Sequence, residues 1–198
     1  MTCAKGGLVL HRHNDVAAEW GEICARALKP LAVSDEPHIH TGRDAPKATG
    51  TTGAPIDPDI KGNIGLHGFW KSSHSTIFDV RITDTDAKSY RNADPHKVLK
   101  QQERERKKLY AAACSDRRRH LTSLHSTPLV FFVDGVCGAE ATAAIKRAAS
   151  LLSAKWRRPY SEICGYVRSQ ISISLVRAAS HCLRGSRDPT ARISTATW

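Results

Sequence analysis

The chain has 198 residues, 40% of them hydrophobic, a mean hydropathy of −0.39 and a formal charge of +11. That length suits one domain with a sizeable core, and no apolar run approaches the roughly 20 residues that cross a bilayer. Met1 to Leu10 has too short an apolar stretch for a signal peptide, so an intracellular chain without a membrane partner is expected.

The charge is uneven. Lys and Arg number 6 against 8 Asp and Glu in residues 1–60, 14 against 7 in 61–120, and 10 against 4 in 121–198. A surplus confined to the last two thirds suits a polyanion, because each phosphate neutralised releases counterions; a basic solvated surface is the plain alternative. The six cysteines contain no CxxC pair, so a structural zinc site would need scattered ligands. Buried free thiols in a reducing compartment fit better.

In chain order, Val16, Trp20, Ile23, Ala27 and Leu28 fall on one helical face, with Asn14 or Asp15 as its cap and Pro30 as its stop. The cluster His11-Arg12-His13 then stands ahead of the cap, where a helix N-terminus favours phosphate. From Ser34 to Pro58, Pro, Gly, Asp, Thr and His predict a long loop, mobile at its tip.

Asn63 to Trp70 and Ile77 to Thr83 predict a β-hairpin turned through Lys71–Ser75. Alternation puts Asp79 and Arg81 on one face of the second strand. Burying that pair costs free energy unless a metal ion or a phosphate accompanies it. His67 and His74 are expected as surface or packing residues, and Trp70 and Trp156 as core.

Asp94-Pro95 starts a charged helix running to about Cys114. Val98, Gln102, Glu105 and Leu109 trace one face, and Lys100, Arg104, Lys107 and Lys108 crowd another; the run Arg117-Arg118-Arg119 follows. Pro128 to Val133 is a continuous apolar run bounded by Pro and by Asp134-Gly135, hence a buried strand. Ile145, Ala149, Leu152 and Trp156 share a face of one further helix, and Ile163, Val167, Ile171 and Leu175 of another. The two are expected to pack as a hairpin, followed by a frayed tail.

These elements, with RHNDV at 12–16, KGNIGLHGFW at 61–70, FDVRITDTDAKSY at 78–90, DPHKVLKQQERERKKLY at 94–110, LVFFVDG at 129–135 and KWRRPYSEICGYVRS from 155, resemble the restriction-like endonuclease end of a non-LTR retrotransposon polyprotein, in the PD-(D/E)xK superfamily. The resemblance extends from about residue 8 along nearly the whole chain. It implies an α/β fold with a restriction-endonuclease-like core of helix, β-hairpin, helix and strand, followed by a C-terminal helical hairpin. The expected segments are an N-terminal core helix in 1–33, a flexible loop in 34–58, the nuclease-like core in 59–136, the helical hairpin in 137–184 and a tail in 185–198.

It also implies nicking of a target DNA duplex with Mg²⁺ or Mn²⁺ beside a reverse transcriptase, hence a nuclear setting, with the element's RNA as a further partner and no small-molecule ligand. Two acids would hold the metal, and a cation would stand near the attacking water. Asp79 matches the second acid. Arg81 stands at the superfamily's Lys position, and the working Lys of this branch moves to the next helix, where Lys107 is the candidate, beside Arg106 and Tyr110. The first acid is replaced by Asn63, in Lys61-Gly62-Asn63, which supplies an oxygen but no charge. Asp59 is the possible substitute, four residues upstream and about 13 Å away in extended chain.

Phosphate contacts would come from Arg12, His13, Lys100, Arg104, Arg106, Lys108, Arg117, Arg118 and Arg119. The family pattern also departs at Leu109, where it has Lys, and in the longer loop HLTSLHSTP. With no reverse transcriptase in the chain, these departures imply a detached, degenerate copy. The competing expectations are a non-catalytic nucleic-acid-binding remnant and a helical interaction module built on 138–182.

Overall fold

Trp20 organises the larger of two apolar layers. In the computed structural model, which describes residues 7–37, 62–84, 87, 90, 92–118 and 124–185, this side chain is fully buried. It lies edge-on to Phe78 and Phe69, with ring centroids 5.5 and 6.1 Å away, a geometry that favours aromatic pairs. The elements are α1 (Leu8–Ala27), a 3₁₀ turn (Pro30–Ala32), β1 (Val33–Asp35), β2 (Ile64–His67), β3 (Ser75–Thr83), α2 (Pro95–Arg118), β4 (Leu124–Phe132), α3 (Ala139–Trp156) and α4 (Tyr160–Gly185).

The four strands form one mixed sheet in the order β1-β2-β3-β4, antiparallel except for the parallel pair β3–β4. Strand alternation sorts the two faces. Phe78, Val80, Leu129 and Phe131 join α1, α3 and α4 in the main core, while Val130 and Phe132 pack with Val98 and Leu99 of α2 on the other face. The chain is therefore α/β, with helices on both sides of the sheet. The C-terminal helical hairpin forms as expected, but Ile163, Val167, Ile171 and Leu175 share one core with α1 and the sheet.

Several boundaries differ from the sequence reading. Helix α1 begins at Leu8 after Gly7, whose φ is 72°, so Asn14 and Asp15 lie inside the helix and cap nothing. The expected loop from Ser34 contains most of β1, which pairs Val33 with Leu66 and Asp35 with Ile64. Three residues, two of them polar, carry no strand signal of their own; pairing with β2 creates the strand.

Strand β4 starts at Leu124, inside the segment read as a loop, and runs through Pro128. It is an edge strand of the described sheet, and an edge is where a proline is tolerated. On α2, Glu105 and Leu109 are exposed, whereas Leu99, Glu103 and Tyr110 are buried. Trp156 is exposed too, packed edge-on against Tyr166. Residues 119–123 and 186–198 lie outside the described residues, as do 38–61, but the Gly62 N–H donates to the Pro37 carbonyl at 3.2 Å. The ends of that excursion therefore meet.

Strand β2 begins at Ile64, opposite Phe78, so among the described residues Asp79 to Thr83 pair with β4 alone. Two side chains occupy the open edge. The Val80 N–H donates to Asn63 Oδ1 at 2.6 Å, and Arg12 Nη2 donates to the Ile82 carbonyl at 3.5 Å. Leaving a buried donor unmet costs about 1–3 kcal/mol. Asn63→Ala is therefore expected to lower the unfolding free energy by about that amount in urea titrations, and Asn63→Asp, which keeps the acceptor, by less. Equal reductions in the two variants would assign the bond no role.

Candidate active site

Asp79 is 4% exposed and lies beside the open edge, on the face of β3 that meets α2. Its neighbours on that face show the same orientation: Arg81 Nη1 lies 3.5 Å from Glu105 Oε2, and the Thr83 hydroxyl donates to Gln102 Oε1 at 2.6 Å. Gln102 in turn donates to the Tyr90 hydroxyl at 3.3 Å. The carboxylate of Asp79 is held from α2. The Tyr110 hydroxyl donates to Oδ1 at 3.0 Å, and Arg106 Nε stands 3.3 Å from Oδ2. Arg106 and Tyr110 reach the same carboxylate because residues four apart share a helix face.

The Arg106 contact is one of charge rather than of a well-directed hydrogen bond. Both Oδ2 of Asp79 and Nε of Arg106 are buried without a hydrogen-bond partner among the described residues. From α1, His13 senses the charges of both Asp79 and Arg106. Charged groups of α1 and α2 thus bear on one acid.

Burial pushes the Asp79 carboxyl up from its ordinary 3.8, against the opposing pull of Arg106, Tyr110, His13 and Arg81. Burial likewise pushes His13 below 6.5. Asn63 is near in a specific way: its Oδ1 sits on the amide nitrogen bonded to the carbonyl carbon of Asp79. Gly62, just before it, cannot carry a side chain, since a Cβ there would overlap Ile77.

Of the residues expected at the site, the structure brings Asp79, Arg106, Tyr110, His13 and Asn63 together. Lys107 is not among them; it pairs with Glu140 at the start of α3. Arg81 is directed to Glu105. Arg12 is buried in α1, Lys100, Arg104 and Lys108 are exposed on α2, and Arg117 and Arg118 belong to the last turn of α2. Asp59 and Arg119 lie outside the described residues. His67 is exposed, and Trp70 donates from its half-buried ring to the Thr127 hydroxyl at 3.0 Å.

Sequence reasoning missed Glu103. Its Oε1 accepts the Glu140 N–H at 2.9 Å and so closes the N-terminus of α3, and burial raises its carboxyl above 4.5. The signal lay in the spacing Leu99, Glu103, Arg106, Tyr110, which follows one helical stripe.

Mg²⁺ and Mn²⁺ require several oxygen donors with net negative charge. Oδ2 of Asp79 is a suitable buried acceptor, but a guanidinium already faces it, and Asn63 contributes no charge. Among the described residues no group of three or more His, Cys, Asp or Glu is placed to hold a metal ion. The described donors do not make up a divalent-cation site. No family model matches the chain, and a search of curated proteins finds no similar sequence. No described helix is long and apolar enough to cross a membrane.

The raised carboxyl has a signed consequence. A group whose folded-state pKa lies above its unfolded value stabilises the fold fully below the unfolded value, and that contribution is lost as pH rises through the folded one. The stability of the unmodified protein relative to Asp79→Asn is therefore expected to fall as pH rises from below 3.8, then to level off. Urea denaturation across that range checks it. A difference that grows with pH would mean that Arg106 and Tyr110 outweigh burial.

Proposed function

We propose that this chain is a DNA-binding domain of restriction-like endonuclease type, of retrotransposon descent, whose phosphodiester-cleaving centre at Asp79 is closed by Arg106 and lacks a carboxylate at Asn63. One observation carries the proposal. A carboxylate is buried midway along an internal strand, beside the residue that precedes the neighbouring strand, and under a helix that supplies both a hydroxyl and a cation to it. The order helix, hairpin, helix, strand around it fits the expected nuclease core.

The outer face of α2 suits the polyanion. Lys97, Lys100, Arg104 and Lys108 recur every three or four residues and are exposed. No ion-pair partner holds any of them among the described residues. Such side chains position the phosphate backbone without reading sequence. A DNA partner implies a nuclear setting for the working protein.

Strand nicking is the second reading, favoured by the buried Oδ2 of Asp79 that no hydrogen bond satisfies. Supercoiled plasmid incubated with the protein and Mg²⁺ or Mn²⁺ separates the two. Binding without nicking is expected, with a duplex gel shift that weakens with salt. Replacing Lys100, Arg104 and Lys108 by Gln is expected to lower the salt slope of log K by about 0.9 for each phosphate that is no longer neutralised. Nicking that Asp79→Ala abolishes would establish the second reading instead, and a protein that shifts no duplex at low salt would end the first.

A further inference from the structure

Arg12 is 3% exposed, on the second turn of α1. A guanidinium has five N–H donors and no acceptor. Here Nη2 meets the Ile82 carbonyl at 3.5 Å, while Nε and Nη1 are buried with no hydrogen-bond partner and no ion pair among the described residues. A cation buried with most of its donors unmet is costly, far more so than a packed apolar side chain of the same size. Capping one carbonyl does not offset that cost, since Asn63 closes the same edge two residues away with a neutral amide.

The surroundings favour an anion from outside the fold. Ile82 lies on the stretch of β3 that β2 leaves open, three residues beyond Asp79. The charges of Asp79 and Arg106 also bear on His13, next to Arg12. Because α1 starts at Leu8, Asn14 offers an anion no helix N-terminus, and the unpartnered donors at this place are those of the guanidinium. Its planar fork matches the oxygens of a phosphate, and the chain as a whole is strongly basic.

We infer that the buried Arg12 guanidinium at the open edge of β3 is a seat for a phosphate group, which on the DNA-binding reading above is a phosphate of the nucleic-acid backbone next to the Asp79 centre. Arg12 is a positioning residue here: it would fix the register of the strand, and bonds are neither made nor broken at it. The seat is occupied from the end of the sheet where β3 has no β2 neighbour.

The experiment is thermal unfolding of the full chain in inorganic phosphate against chloride of equal ionic strength, paired with duplex binding across a salt series, for the unmodified protein, Arg12→Met and Arg12→Lys. Phosphate is expected to raise the unmodified protein's Tm beyond chloride. Arg12→Met is expected to be at least as stable as the unmodified protein in chloride and to lose the phosphate-dependent rise, with the salt slope of DNA binding lower by about one. If Arg12→Met does not fold, Arg12→Lys decides: it keeps the charge without the fork, and its rise is expected to be less than half that of the unmodified protein.

The inference is overturned if phosphate gives the unmodified protein nothing beyond chloride, or if the folded variant keeps the full rise. In the first case DNA binding, if present, still stands. If the rise depends on Arg12 but no duplex is shifted, the seat takes a free phosphate group and the DNA-binding reading is the one that fails.

Discussion

The hydrogen bond from the Val80 N–H to the Asn63 carboxamide exists because β2 begins at Ile64 while β3 runs on to Thr83. Among the described residues β3 is paired on one side only beyond Phe78, and such a strand must satisfy its other edge by different means. Two side chains, Asn63 and Arg12, do so, and nearby Asp79 is held from α2 while its charge bears on His13 of α1. With a longer β2, main-chain bonds would fill that edge.

Electrostatics then determine what the open edge can do. Asp79 is buried deeply enough for its charge to be unfavourable despite Arg106, Tyr110, His13 and Arg81 around it. Arg106 answers with positive charge at 3.3 Å but without a directed hydrogen bond, so the pair is held close and incompletely satisfied. Lys107, one residue on, is turned by the helix toward Glu140 and does not reach the site. A neutral amide at Asn63 and a guanidinium over the remaining oxygen leave little negative charge to attract a divalent cation, whereas the exposed cations of α2 remain available to phosphates.

Much of this architecture was legible in the sequence. The alternation Phe78, Asp79, Val80, Arg81 correctly put both charges on one face, and the four-residue recurrence from Ile163 to Leu175 correctly marked the buried side of α4. The errors have physical causes. Helix α2 carries so much charge that its apolar stripe is short, and reading it from Val98 through Gln102 to Glu105 and Leu109 rotated the face, which hid Glu103. The polar Ser34 and Asp35 have no strand preference of their own. Arg12 was placed ahead of a cap rather than inside the helix, because nothing local announces that α1 starts at Leu8 or that β2 ends its pairing with β3 at Phe78.

The most direct test of the closed centre is calorimetric titration of Mn²⁺ into the unmodified protein, Asp79→Ala and the double variant Asn63→Asp with Arg106→Gln. No saturable binding is expected in the unmodified protein. A one-site isotherm is expected in the double variant, where a second carboxylate stands beside Asp79 and no guanidinium covers it. One-site binding by the unmodified protein, absent in Asp79→Ala, would contradict the closed site, and a folded double variant that binds nothing would show that Asn63 and Arg106 are not what closes it.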